Sequence, residues 1–478
     1  MPYLVGICFV TTIGGFLFGY DTAIIAGCNP FLESQFELSK DGLGWLVSSA
    51  LLGTIFGCAL AGSIADRRGR KPTLILAALL LLFSAVGSML VPLFLARPEG
   101  FGWIAADRSL AQNWLVAARL IGGVGVGITY AVSPLYIAEI VPSRLRGRLV
   151  SIYQLSITLG ILFAFVVDYF VLHAAGEGAG AAVAGPTPSG LFRWLFVDEL
   201  WRGMFGTEIP VAVLFFLLLL LVPETPRWLT SRGRESEARA ILTRINGPQQ
   251  AEKAMGEIRE VLGQAAGAYR ELLAPHLRIP LLIGIFLPMF SHLSGIAAIM
   301  YFAPNILNEA MASTEGSFLG AALIGVINMI FTFVAIWKVD RFGRRPLLLI
   351  GVTGACLSLA CVGFLFLIGS RWVLVPLLFY VACFAFSYGP VCWIILGEIF
   401  PTRIRGRAAA LGAFSLSLTS FVITCTNPRL FEALSPAGTF FTYSALTAAA
   451  IWFIWRFVPE TRGRSLESIE KHWLKNKK

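Results

Sequence analysis

Residues 139–147 read Glu139-Ile-Val-Pro142-Ser-Arg-Leu-Arg146-Gly147, and residues 398–406 read Glu398-Ile-Phe-Pro401-Thr-Arg-Ile-Arg405-Gly406. The same order of acid, proline, two arginines and glycine stands once in each half of the chain. A second echo precedes each copy: Asp66-Arg67-Arg68-Gly69-Arg70, then Asp340-Arg341-Phe342-Gly343-Arg344-Arg345. A third follows: Pro223-Glu224-Thr225-Pro226-Arg227 returns as Pro459-Glu460-Thr461-Arg462. Three echoes in one order, each after the matching apolar run, mark an internal duplication. In membrane proteins such duplication accompanies two halves that rock about a central site.

The apolar runs between the echoes set the solvent. The chain of 478 residues is 56% hydrophobic and 14% charged, where a soluble domain carries about 25% charged residues. A stretch such as Val211–Val222, with five consecutive leucines, has no polar face to offer water. Spans of roughly 20 apolar residues, the length that crosses a bilayer core, fall near 4–27, 43–64, 72–95, 112–138, 149–173 and 203–222. Six more fall near 278–307, 317–338, 346–369, 373–397, 408–427 and 438–458. The expected architecture is an all-α membrane protein of 12 transmembrane helices in two pseudo-symmetric six-helix bundles. Residues 1–226 form the N-terminal bundle and 276–460 the C-terminal one. The polar stretch 227–275 is a short cytoplasmic helical linker, and 461–478 a cytoplasmic tail. The chain enters its first apolar run near Leu4, which reads as a first membrane helix and not as a removable signal.

The net charge of +10 does not indicate a nucleic-acid partner, because the basic residues sit in short clusters between apolar runs. Arg67, Arg68, Arg70 and Lys71 follow span two; Arg144, Arg146 and Arg148 follow span four. Arg341, Arg344 and Arg345 follow span eight, and Arg403, Arg405 and Arg407 follow span ten. Every even-numbered exit is basic, which places those loops and both termini in the cytoplasm and makes 173–201 an outer loop. The eight cysteines lie in or beside apolar spans without metal-ligand or disulfide-framework spacing, and read as free thiols. No cofactor or metal site is expected. With no Ser/His/Asp arrangement, metal cluster or phosphate loop, the chain is not read as an enzyme.

Together, Phe18-Gly19-Tyr20-Asp21, both Asp-Arg-x-Gly-Arg loops, both Glu-x-x-Pro-x-x-x-Arg-Gly loops, Pro223–Leu229 and Gly389-Pro390-x-x-Trp393 resemble the sugar porter family over essentially the full length. That family belongs to the major facilitator superfamily, and the members this chain is most similar to are bacterial D-xylose–proton symporters and facilitative glucose transporters. The resemblance implies the major facilitator fold and proton-coupled symport of a monosaccharide by alternating access. The expected setting is a multi-pass protein of the bacterial inner membrane that works as a monomer in the lipid bilayer. The alternatives are a facilitative uniporter, a carrier of another small polar solute such as a polyol, and, less favoured, a transport-inactive sensor.

Three groups of residues carry this expectation. Asp21 lies within span one, and acids at that depth are costly and default to function; Arg119 of span four is its natural partner, and Glu208 of span six is a second intramembrane acid. A carboxyl that exchanges a cation for a proton is a proton switch. The resemblance supports this, since proton-coupled members carry Asp at the position of Asp21. Sugar recognition needs planar amides and an aromatic face, for which the resemblance points to Gln154, Trp393 and Gly389, with Phe18, Tyr301, Phe302 and Asn328 as weaker additions. The third group is a cytoplasmic ion-pair latch of Asp66, Arg70, Glu139, Arg146 and Glu224, repeated by Asp340, Arg344, Glu398 and Arg405.

The family pattern fails at one place. Span seven reads Ser291-His292-Leu293-Ser294-Gly295-Ile296-Ala297 where the family carries Gln-Gln-x-x-Gly-x-Asn; Ile161, Leu416 and Ser417 likewise replace expected binding residues. The departures cluster at the expected binding site while the loops are intact, so the ligand is expected to differ. Ser291 and His292 then join the candidate contacts, His292 as a donor or as a group titrating near neutrality.

Overall fold

The computed structural model describes residues 2–91, 108–181, 194–263, 271, 273–400 and 404–461. Within them the chain is helical, and no strand is found among the described residues. A backbone in hydrocarbon has no water to satisfy its N–H and C=O groups, so apolar sequence of this kind folds as helices. The first half runs α1 (Pro2–Phe36), α2 (Lys40–Arg68), α3 (Arg70–Met89), α4 (Arg108–Ile140), α5 (Ser143–Ala181), α6 (Leu200–Gly206) and α7 (Glu208–Leu221). Three polar helices follow, α8 (Pro226–Ser231), α9 (Glu235–Asn246) and α10 (Pro248–Gly263). The second half runs α11 (Arg278–Leu293), α12 (Ile296–Met311), α13 (Thr314–Phe342), α14 (Arg344–Leu367), α15 (Leu374–Phe386), α16 (Tyr388–Ile399) and α17 (Arg405–Phe457).

Among the described residues, eleven stretches are long and apolar enough to cross a membrane. The difference from the expected twelve has one cause: spans eleven and twelve are a single helical run, α17, interrupted at Ser435 with φ 63° and ψ 164°. Pro436 explains the break, because a proline disfavours the helical conformation of the residue before it. Other spans are broken too. Span six divides between α6 and α7 at Thr207, span seven at Gly295 (φ 88°) and again at Phe302 (φ −130°), and span ten at Ser387. Large apolar side chains face outward throughout, Leu221 at 78% and Trp372 at 72% exposure among them; in water such surface would drive association, and lipid is its solvent. Residues 92–95 of span three, 182–193 of the outer loop, 264–270 of the linker, Arg403 and 462–478 of the tail lie outside the described residues.

The chain packs as two compact units. One comprises Met1–Asp21, Ser49–Gly160 and Phe205–Ala265; the other comprises Thr22–Ser48, Ile161–Met204 and Ala266–Lys478. In the first unit α2 and α4 cross closely. A Cβ at Gly53 would fall on the Leu120 carbonyl oxygen, and one at Gly57 on that of Val124, with Gly123 and Gly127 facing them. This is small-residue packing, by which helices associate in lipid without a hydrophobic drive. The polar helices form a small core of their own in that unit, Leu229, Ala238, Leu242, Ala251 and Met255, fastened outside by ion pairs of Arg259 with Glu235 and Arg239 with Glu252. In the second unit a core around Leu348, Val352, Tyr388, Val391, Ile395 and Ile454 joins α11, α14, α16 and α17.

Candidate functional site

Asp21 on α1 and Arg119 on α4 form an ion pair inside the first unit, with exposures of 4% and 1%. The same guanidinium reaches the Asp21 carbonyl oxygen at 3.5 Å, and its carbon stands 5.7 Å from the centre of the Phe205 ring. Glu208 opens α7, is 1% exposed, and lies within electrostatic reach of both partners. Its Oε1 is buried without a hydrogen-bond partner. The helix break places it there: Thr207, at the α6–α7 junction, is bonded through its hydroxyl to Tyr20 at 2.7 Å, next in sequence to Asp21. One cation thus serves two buried acids, of which one is paired.

The two Asp-Arg-x-Gly-Arg loops are built around a turn that only glycine adopts freely. Gly69 (φ 103°) separates α2 from α3, and Gly343 (φ 87°) separates α13 from α14. In the first unit the Glu224 carboxylate accepts the backbone N–H groups of Arg70 (3.0 Å), Lys71 (3.1 Å) and Thr225 (2.8 Å). It therefore caps the positive end of α3, where an anion is favoured. The Arg70 guanidinium donates to Glu139 Oε1 at 2.9 Å and lies 3.3 Å from Asp66, while Thr225 donates to Glu139 Oε2 at 2.7 Å. Glu224 lies outside the membrane spans, and burial pushes its carboxyl above the ordinary value of 4.5 despite the three donors that favour the anion.

The second unit repeats the arrangement. Glu460 accepts from the backbone N–H groups of Arg344 and Arg345, each at 3.1 Å, and the Arg344 guanidinium donates to Glu398 Oε1 at 3.1 Å. Glu460 is a member that sequence reasoning passed over, although the third echo aligned it with Glu224. The side chains of Arg146, Asp340 and Arg405 lie outside those described.

The candidate sugar contacts are distributed over the units. Phe18 and Gln154 belong to the first; Phe18 meets the Tyr130 ring edge-on at 5.4 Å, and Gln154 is half-buried on α5. Ser291, His292, Tyr301, Phe302, Asn328, Gly389 and Trp393 belong to the second. Ser291 turns its hydroxyl into its own helix, donating to the Pro288 carbonyl at 2.7 Å. Its neighbour His292 ends α11 just before the Gly295 turn, with Nδ1 buried and without a hydrogen-bond partner. Tyr301 is fixed through its carbonyl, which accepts from Asn29 Nδ2 at 2.8 Å, and Phe302 is the kinked residue beside it. Asn328 is buried on α13, Gly389 stands in the first turn of α16 after the Ser387 break, and Trp393 packs half-buried one turn on. Asp168 of α5 is an intramembrane acid at 1% exposure that the reading of the sequence did not single out. The rule that found Asp21 applies to it equally, since it stands in the apolar run 149–173.

The chain matches the model of the family described as "Sugar (and other) transporter" over residues 7–473. It is 38% identical to the D-xylose-proton symporter of Escherichia coli (strain K12) over 494 residues, covering 98% of this chain and 96% of that protein. It is 34% identical to the arabinose-proton symporter of Bacillus subtilis (strain 168), covering 99% and 96%. Its fold matches the partially occluded inward open conformation of the xylose transporter XylE from E. coli with a TM-score of 0.82 at 36% identity, covering 97% of this chain and 100% of that one.

Proposed function

The chain belongs to the sugar transporter family, and from that premise we propose that it carries a monosaccharide, a pentose or hexose of the D-xylose type, together with a proton by alternating access. The observation that carries this reading is the buried Asp21–Arg119 pair with Glu208 beside it. Ionised Asp21 holds Arg119. Protonation of Asp21 frees the guanidinium, and Glu208 takes up its charge. The pairing of α1 with α4 thereby depends on proton occupancy, which is what coupling requires. The driving force is sufficient: one proton moving inward yields about 2.3 kcal/mol per 100 mV, roughly a fiftyfold accumulation of a neutral sugar.

The halves 1–226 and 276–460 act as the two rocking bundles, joined by 227–275. Glu224 with Arg70 and Glu139, and Glu460 with Arg344 and Glu398, act as matched clasps that gate the cytoplasmic side. The basic even-numbered loops support an inner-membrane protein with both termini in the cytoplasm. It works as a monomer in lipid, its partners are the sugar and the proton, and no enzymatic step or nucleic acid enters the reading. Tyr301, Asn328, Gln154 and Trp393 are the proposed sugar contacts, with His292 supplying a polar nitrogen where amides are missing.

Uptake of labelled D-xylose, L-arabinose and D-glucose into proteoliposomes, with and without an inward proton gradient, tests this. Accumulation above equilibrium that collapses with a protonophore is expected for at least one sugar. Uptake that only equilibrates, indifferent to the gradient, would make the protein a uniporter.

A further inference from the structure

Asp168 lies within the apolar stretch Ile152–Gly176 of α5 and is 1% exposed, with both carboxyl oxygens buried and without a hydrogen-bond partner. Its carboxyl is pressed against α1 in the second unit: a Cβ on Gly27 would collide with the Asp168 Oδ2, Cγ and Cβ atoms. Gly27 leaves room for the carboxyl and supplies no cation. The charged and titratable groups on the elements packed there are committed elsewhere. On α1, Glu33 pairs with Lys40, and the Cys28 thiol donates to the Trp201 carbonyl at 3.7 Å. α13 packs on α5 where Gly325 faces Leu162, and its Glu315 lies 3.7 Å from His173 at the far end of α5. Nearby on α6, Arg202 is paired with Glu199 and held against the Trp194 and Trp201 rings.

A carboxylate without a cation in such a place carries a desolvation cost that the Gly27 backbone N–H beside it offsets only in part, and the group avoids that cost by binding a proton. We propose that Asp168 is a second proton-binding site, separate from Asp21. It is loaded while the α1–α5 contact is dry, and it releases the proton to water as the carboxylate when water reaches that contact. The release half of the proposal rests on the symport reading; the loading half does not.

Infrared spectroscopy of the full-length protein in lipid tests loading without reference to transport. A protonated-acid carbonyl band is expected that shifts on aspartate-specific carbon-13 labelling, persists in Asp21→Asn and is missing in Asp168→Asn. Labelling combined with Asp21→Asn, which leaves Asp168 in place, decides the matter even if Asp168→Asn fails to fold. A wild-type protein without an aspartic acid band, or a band unchanged in Asp168→Asn, would overturn the proposal. Release is read from the sugar accumulation ratio at fixed membrane potential, which falls roughly fiftyfold per 100 mV when one transported proton is lost. An Asp168→Asn ratio equal to that of the wild type would overturn release. A wild type that ignores the gradient while keeping the band would instead sink the symport reading and leave the proton site standing.

Discussion

Replacing Asp21 by Asn isolates the energetics of the buried triad. Arg119 and Asp21 are 1% and 4% exposed, and breaking a buried pair by removing one partner costs about 3–5 kcal/mol, because the survivor is left charged. Glu208 changes that arithmetic. It is 1% exposed, with an oxygen that has no hydrogen-bond partner, and it lies within reach of Arg119. In Asp21→Asn it is free to ionise and recover much of the lost Coulomb energy, leaving a cost of about 1–2 kcal/mol on the same scale. Glu208→Gln alone leaves the Asp21–Arg119 pair intact and costs about 1 kcal/mol or less. The double variant has no acid for Arg119 and bears the full cost, about 3–5 kcal/mol. The two substitutions are therefore non-additive by about 1–3 kcal/mol, the coupling a double-mutant cycle measures between groups in one network. Thermal unfolding of the four proteins in one detergent at one scan rate reads this out as an ordered set of midpoints. Strictly additive midpoints, or an Asp21→Asn protein as unstable as the double variant, would refute the idea that Glu208 is the reserve partner. Gradient-driven accumulation is expected to vanish in Asp21→Asn.

The loops and helix crossings supply further tests. Glu460→Gln removes the ionised acceptor of the Arg344 and Arg345 N–H groups and is expected to lower stability by about 1–3 kcal/mol, measured by thermal unfolding; no loss would dismiss Glu460 as a clasp. Glu224 has its pKa raised by burial, so the folded protein binds its proton more tightly than the unfolded chain. Its contribution to stability is thus fully present below the ordinary carboxylate value and is lost as pH rises through the raised one. Glu224→Gln, which fixes the neutral form, should flatten that part of the stability–pH profile, and an unaltered profile would contradict this. Gly44→Ala places a Cβ on the Cys425 carbonyl oxygen, whereas Gly62→Ala meets nothing within 4 Å. The first is expected to cost about 1–3 kcal/mol and the second to be neutral or slightly stabilising. Equal midpoints for the two would contradict the α2–α17 close approach within the second unit.

What the sequence determined unaided was the solvent and the repeat, and it singled out Asp21 as a candidate. Apolar runs such as Val211–Val222 report lipid directly, because hydrophobicity summed along one helix is a local quantity. The Glu139 and Glu398 loops announce a duplication for the same reason: a repeat is a property of order in the chain. Asp21 stood out because a charge in an apolar run is costly wherever the helix turns. The break at Ser435 was equally legible from Pro436, although its consequence, one helical run where two spans were counted, was not. Only tertiary structure decided what each buried group faces. Sequence shows that Glu208 and Asp168 are acids among leucines and valines; it does not show that one lies beside Arg119 and the other against a glycine with no cation. Nor could spacing reveal that Glu460 caps α14 across Gly343, since that contact joins positions 116 residues apart. The energy of a buried charge depends on the few ångströms around it, and those are set by which helices pack together.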